Sequence, residues 1–234
     1  MKQQFRRGML HGVPIMLGYL SVSFGFGILA IQKNLSILAA VGISVTNLTS
    51  AGQVAGVGVI AAGGSLLEMI LCQLVINLRY SLMSLSLSQR LDSSFTLPHR
   101  LIAGFGVTDE IFAVASVQPE PITPLYMYGL ILTPFIGWTG GTLLGAAAGN
   151  IMPPRVTAAL SLMLYGMFIA IILPPAKKSG RVLLAVSLSA GLSVLCKALI
   201  PTLSDGFAVI LSAVAASVVT AAIFPAPERG EGSA

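Results

Sequence analysis

Residues 37–61 read ILAAVGISVTNLTSAGQVAGVGVIA, and the reading of this stretch decides the fold. At about 1.5 Å per residue it is long enough to cross a hydrocarbon core about 30 Å thick. Its middle, however, holds Thr46, Asn47, Thr49, Ser50, Gly52, Gln53, Gly56 and Gly58, a density of polar and small residues that a continuous lipid-facing helix would not carry. Non-helical backbone at membrane depth is tolerated only where protein or a cavity satisfies its polar groups. A broken or re-entrant helix, buried in protein, is therefore expected here.

The rest of the chain agrees with a membrane setting. Only 9% of its 234 residues are charged and 55% are hydrophobic, with a mean hydropathy of +0.90, whereas a soluble domain carries roughly 25% charged residues. Eight apolar segments are expected, at 13–31, 37–61, 65–88, 101–117, 122–149, 157–173, 182–199 and 206–224. They predict an all-α, polytopic integral membrane bundle of seven to eight hydrophobic segments, one transmembrane domain over residues 1–234 with a polar tail at 225–234. The net charge of +5 comes largely from Lys2, Arg6, Arg7, Lys177, Lys178 and Arg181 beside apolar spans. Cytoplasmic anchors sit in such places, and a nucleic-acid surface does not. The first apolar run continues too far for a cleavable leader and lacks a small-residue cleavage site. Two cysteines, Cys72 and Cys196, and two histidines, His11 and His99, supply neither a disulfide framework nor a metal cluster, and no cofactor is expected.

Two topologies are open. If segment two crosses fully, the loop with Arg90, His99 and Arg100 falls on the side opposite the N-terminus; if it enters and leaves by one face, that loop returns to the cytoplasm. Treating segment six likewise gives an inverted repeat with halves 12–117 and 122–224, a plan many transporters share. In segment five, Gly137, Gly141, Gly145 and Gly149 recur every fourth residue. Such a smooth ridge marks close helix packing within a membrane, either inside the chain or against a partner.

A charge at the bilayer centre costs roughly 2.5–3.5 kcal/mol, so Arg79, Asp109 and Glu110 need a reason to be there. Arg79 is expected to form a structural ion pair with an acid of segment four or to hold a substrate carboxylate. Asp109 and Glu110 project about 100° apart, so one can meet Arg79 while the other faces a pathway, binding an ammonium or carrying a proton. Glu68 lies near a segment end and reads as an interfacial residue in water. Gln73, Asn77, Ser81, Ser84 and Ser88 form a polar stripe, either a pathway lining or helix glue. Asn77 and Arg79 lie about 200° apart on a regular helix, so both reach one cavity only if the helix is distorted.

The run YLSVSFGFG at Tyr19–Gly27, Ala51-Gly52-Gln53, Asn77-Leu78-Arg79, GVTDEIF at 106–112, and the Gly137-Trp138 and Gly141–Gly145 stretch together resemble the AzlC family, the large subunits of branched-chain amino acid exporters. The resemblance implies a permease working with a small hydrophobic subunit of the AzlD type in the bacterial inner membrane and exporting valine, leucine or isoleucine. Two departures stand out. Leu48-Thr49-Ser50 precedes Ala51-Gly52-Gln53 where the family often has an aromatic and Ala-Gly-Ala-Ser, and Tyr80 stands where the family usually has a histidine.

The substrate site is expected at Gln53, Asn77, Thr108, Asp109 and Glu110, with coupling to an ion or proton gradient and a range of aliphatic amino acids accepted. One methylene is worth only about 1–3 kcal/mol of discrimination. A non-transporting scaffold is the alternative. A membrane-embedded enzyme is disfavoured, because HExxH, GxSxG and metal-ligand spacings are missing from the sequence.

Overall fold

The computed structural model describes residues 2–149 and 172–224, together with residues 153, 155, 166 and 169. Most of segment six and all of the tail at 225–234 lie outside the described residues. The described helices are α1 (Lys2–Gln32), α2 (Ile37–Thr46), α3 (Ser50–Ala61), α4 (Leu66–Ser88), α5 (Leu97–Phe105), α6 (Asp109–Ser116), α7 (Pro124–Gly149), α8 (Gly180–Leu199) and α9 (Asp205–Ile223). Five of them, α1, α4, α7, α8 and α9, are long and apolar enough to span a membrane. The outward face of α4, with Leu66, Leu67, Ile70, Leu74, Leu78, Leu82 and Leu85, is exposed, as lipid requires. The protein is a multi-pass helical membrane protein.

Its spine is the pair α1 and α7, which run parallel in intimate contact. A β-carbon at Gly8 would collide with the Tyr126 carbonyl and one at Gly129 with the Phe5 carbonyl; further along, one at Gly137 would stand 2.6 Å from the Met16 carbonyl oxygen. Gly141 and Gly145 face the Leu20 and Phe24 carbonyls as closely, while Gly149 sits at ordinary contact distance, 3.4 Å, from Ile31. The glycine ridge of segment five therefore packs on α1, whose own Gly8, Gly12 and Gly27 answer it. Only residues without a β-carbon let two backbones approach this far.

Segment two is broken at Asn47–Thr49, where the caps of α2 and α3 are both extended. Its halves, 10 and 12 residues long, measure about 15 and 18 Å, half a bilayer each. Direction follows from contacts. Descending toward the tip, α2 packs Ala40 near Ala30 and Ala146, bonds Ser44 to Thr142, and ends with Leu48 on Tyr19 and Trp138. α3 then climbs back along α4: Thr49 bonds Asn77, and the Gln73 amide bonds the Gly52 carbonyl, while Gly56 lies by Met69. Segment two is thus a hairpin that enters and leaves by one face.

Segment four was expected as one span, yet it breaks too, between Phe105 and Asp109. α5 rises beside α7, with His99 on Tyr128 and Phe105 on Phe135. α6 descends beside α1, from the Thr108–Tyr19 bond to the Gln118–Arg7 bond. It forms a second hairpin, entering from the opposite face, and the two tips meet halfway along α1. Glu68 also departs from expectation. It is 3% exposed and accepts from the Ser204 hydroxyl and the Gly206 amide, capping the N-terminus of α9 rather than facing water.

Both hairpins bring their flanking charges to set ends. Lys2, Arg6, Arg7 and Arg90 gather at one end, where Arg7 pairs with Glu120 at 3.2 Å and Arg90 donates to the Ser116 and Gln118 carbonyls. The excess of Lys and Arg marks this end as cytoplasmic. The opposed hairpins both lie within residues 37–116, inside the first of the two expected repeat halves.

Candidate functional site

Both tips present a helix N-terminus to the same space. Thr49 caps α3 by accepting from the Gly52 amide, and Thr108 caps α6 by accepting from the Ile111 amide. An N-cap of this kind satisfies one of the amides that the start of a helix leaves unpaired. Between the tips, α1, α4 and α7 lies a cavity of about 600 Å³. Its lining joins apolar groups, Ile15, Val22, Leu48, Ile76 and Trp138, to the polar Arg79, Thr108, Asp109 and Glu110, with Ser50 and Ala51 at the start of α3.

The charged groups divide their work. Arg79 Nη1 pairs with Asp109 Oδ2 at 2.8 Å, and its guanidinium lies 4.8 Å from the Tyr80 ring centroid. Both partners of the pair remain about a third exposed, at 38% and 32%. Glu110 meets no cation among the described residues; its Oε2 lies 2.5 Å from the Tyr19 hydroxyl, which is also 2.7 Å from Thr108 Oγ1. The formal charge of the lining is therefore −1, from one guanidinium and two carboxylates.

Of the residues expected at the site, Thr108, Asp109, Glu110 and Arg79 line this cavity, and Asn77 and Gln53 do not. Gln53 is 1% exposed. Its side-chain oxygen accepts from Trp138 Nε1 at 3.2 Å and the Ser44 hydroxyl at 3.4 Å, and its amide donates to the Asn47 carbonyl. It closes the break of segment two instead of facing a solute. Asn77 accepts from Thr49 at 2.9 Å and donates to Gln73 at 3.0 Å, so this upper part of the α4 stripe ties α4 to α3. Tyr80 and Ser50 were not expected at the site. Tyr19 and Trp138 entered only through the resemblance, although a lone tryptophan and a tyrosine in otherwise aliphatic spans were signals in the sequence.

Such a chain belongs to the class of polytopic membrane proteins with discontinuous helices around a central polar cavity. Residues 14–152 match the family described as AzlC protein, and the chain is a member of that family. It is 34% identical over 175 residues to an uncharacterized membrane protein of Archaeoglobus fulgidus, covering 74% of this chain and 76% of that one. It is 30% identical over 176 residues to the inner membrane protein YgaZ of Escherichia coli, covering 72% of each. An uncharacterized membrane protein of Helicobacter pylori is 26% identical over 150 residues, covering 62% of this chain and 64% of that one. No solved structure matches. Family and architecture are consistent with a transport-related role.

Proposed function

We propose that the protein is the large subunit of an exporter of branched-chain, aliphatic amino acids, embedded in the bacterial inner membrane and working with a small hydrophobic subunit of the AzlD type. One observation carries the reading: a single cavity is lined by aliphatic groups and by charged and polar groups that suit a zwitterion. Glu110, which meets no cation among the described residues, offers the counter-charge for an ammonium. The carboxylate belongs at the N-terminus of α3, whose first turn holds no acidic residue, because a helix N-terminus attracts anions; Arg79 stands beside it. In the first turn of α6 that place is already taken by Asp109 and Glu110. The amino acid thus lies across the cavity with its head between the two tips and its side chain against Ile15, Val22 and Ile76.

A scaffold has no need of such a cavity.

The only tryptophan, Trp138, lines the cavity and reports on it. Valine, leucine and isoleucine should change Trp138 emission in the purified protein, glutamate and lysine should not, and Glu110→Gln should abolish the response. Inside-out vesicles carrying the chain with its small subunit should then take up labelled valine. The absence of both an emission change and uptake, with every aliphatic amino acid tried, would refute the proposal.

A further inference from the structure

Two smaller spaces follow the large cavity along α4 toward the cytoplasmic end. The nearer, about 180 Å³, is lined by Asn47, Thr49, Asn77 and Tyr80 on one side and by Gly104 and Val107 on the other, and it shares Leu48 and Tyr80 with the large cavity. The farther, about 110 Å³, is lined by Ser84, Ser88, Leu91 and Arg100 and shares Gly104 and Val107 with the nearer one. Leu91 bridges Ile122, next to the Arg7–Glu120 pair. The three spaces form a row from mid-membrane to the cytoplasmic end, in the cleft between α4 and α5.

The lining is what a wet route needs. Asn77, Ser84 and Ser88 stand seven and eleven residues apart, on one face of α4 by helical spacing, while Leu78, Leu82 and Leu85 form its exposed apolar face. At the junction of the two smaller spaces, a β-carbon on Gly104 would meet no atom within 4 Å. Of the two residues that line both the nearer space and the large cavity, Leu48 and Tyr80, the second is the polar one. The Tyr80 hydroxyl donates to Thr49 at 3.3 Å and accepts from Arg79 Nη2 at 3.0 Å. Both bonds are made to side chains, so a change of rotamer would release them.

We infer that the cleft between α4 and α5 is the route by which a solute passes between the cytoplasm and the large cavity, with Tyr80 as its inner door; this rests on the transport reading above. The farther space is narrower than an amino acid, so passage also requires α5 to move away from α4.

Cysteine labelling tests it on the full chain with Cys72→Ala and Cys196→Ala, in inside-out vesicles, using a small charged methanethiosulfonate. Ser84→Cys and Ser88→Cys should react at least about tenfold faster than Leu85→Cys, since the reactive thiolate forms in water and not in lipid. Ala51→Cys, which lies beyond the door in the large cavity, should react slowly while Tyr80 is present and rapidly after Tyr80→Ala, and Gly104→Phe, which fills the junction, should shield it again. An unchanged Trp138 emission spectrum identifies variants that retain the fold. Labelling at Ser84 and Ser88 as slow as at Leu85, or an Ala51→Cys rate indifferent to Tyr80 and Gly104, overturns the route. Labelling involves no substrate, so the two readings fail separately. A reactive, Tyr80-gated cleft in a protein that moves no amino acid upholds the route and removes the exporter; valine export through an unreactive cleft does the reverse.

Discussion

Replacing Gln53 with leucine should cost about 2 kcal/mol, mostly through bonds that leucine cannot make. The two side chains have nearly the same volume, so packing around a residue 1% exposed changes little. What disappears is the donor to the Asn47 carbonyl and the acceptor of the Trp138 Nε1–H, 3.2 Å away. A buried polar group left without a partner costs about 1–3 kcal/mol. Hydrogen bonds between membrane helices average nearer 0.6 kcal/mol, because the chain unfolded within the membrane also finds partners. Two orphaned groups, each toward the low end, give the stated sum. Trp138→Phe removes only one donor and leaves Gln53 bonded to Ser44 and Asn47, so it should cost under about 1 kcal/mol, and the double variant should be milder than the sum of the two. Denaturant-driven unfolding of the purified protein measures these values, and hydrogen exchange at residues 47–53 should accelerate in Gln53→Leu. A leucine variant within about 0.3 kcal/mol of the parent, with Trp138 emission unchanged, would refute the claim that Gln53 holds the break.

Gly145→Val should destabilise the protein by about 1–3 kcal/mol through overpacking, because its β-carbon falls on the Phe24 carbonyl; Gly140→Val, at a position open to space, should be nearly silent in the same unfolding assay. Glu68→Ala should speed hydrogen exchange at Gly206 and Phe207 by loosening the start of α9, and Glu68→Gln, which keeps an acceptor, should do so less. Arg7→Gln should change stability by less than about 1 kcal/mol, since its pairing with Glu120 is exposed and such pairs contribute little. Ser50→Asp should leave the fold intact, an acid in the first turn being favourable there, yet abolish the Trp138 response to valine by occupying the place meant for the substrate carboxylate; a retained response would move that carboxylate elsewhere.

The break in segment two was legible because Asn47, Thr49, Ser50 and Gln53 interrupt an apolar run with groups that lipid cannot accommodate. Segment four hid its break better. Residues 101–107 are almost wholly apolar, and only Gly104 and Gly106 punctuate them. The overlooked signal was Thr108 followed by Asp109 and Glu110, a helix N-terminus signature placed where a span should have been continuous. The Gly137–Gly149 ridge was plain from its spacing, but its counterpart on α1 was not, because Gly8, Gly12 and Gly27 follow no single repeat. Glu68 could not be placed from sequence at all. Its partners, Ser204 and Gly206, lie more than 130 residues away, and nothing local distinguishes a buried cap from a carboxylate in water.

Gln53, Thr49, Asn77 and Thr108 share a structural task. A helix that breaks inside a membrane must satisfy its own freed amides and carbonyls before it can offer anything to a ligand. Gln53 answers the Asn47 carbonyl, Thr49 caps α3, Asn77 steadies Thr49, and Thr108 caps α6; each of these polar groups is committed to keeping a tip in place. Polarity in a membrane segment therefore locates the break reliably and the binding groups only indirectly. What the tips leave uncommitted are the start of α3 and the carboxylate of Glu110, whose described partner is the neutral Tyr19 hydroxyl. On the proposed reading the ligand's two charges meet those groups, while the other polar residues hold the two half-helix ends facing each other across the cavity.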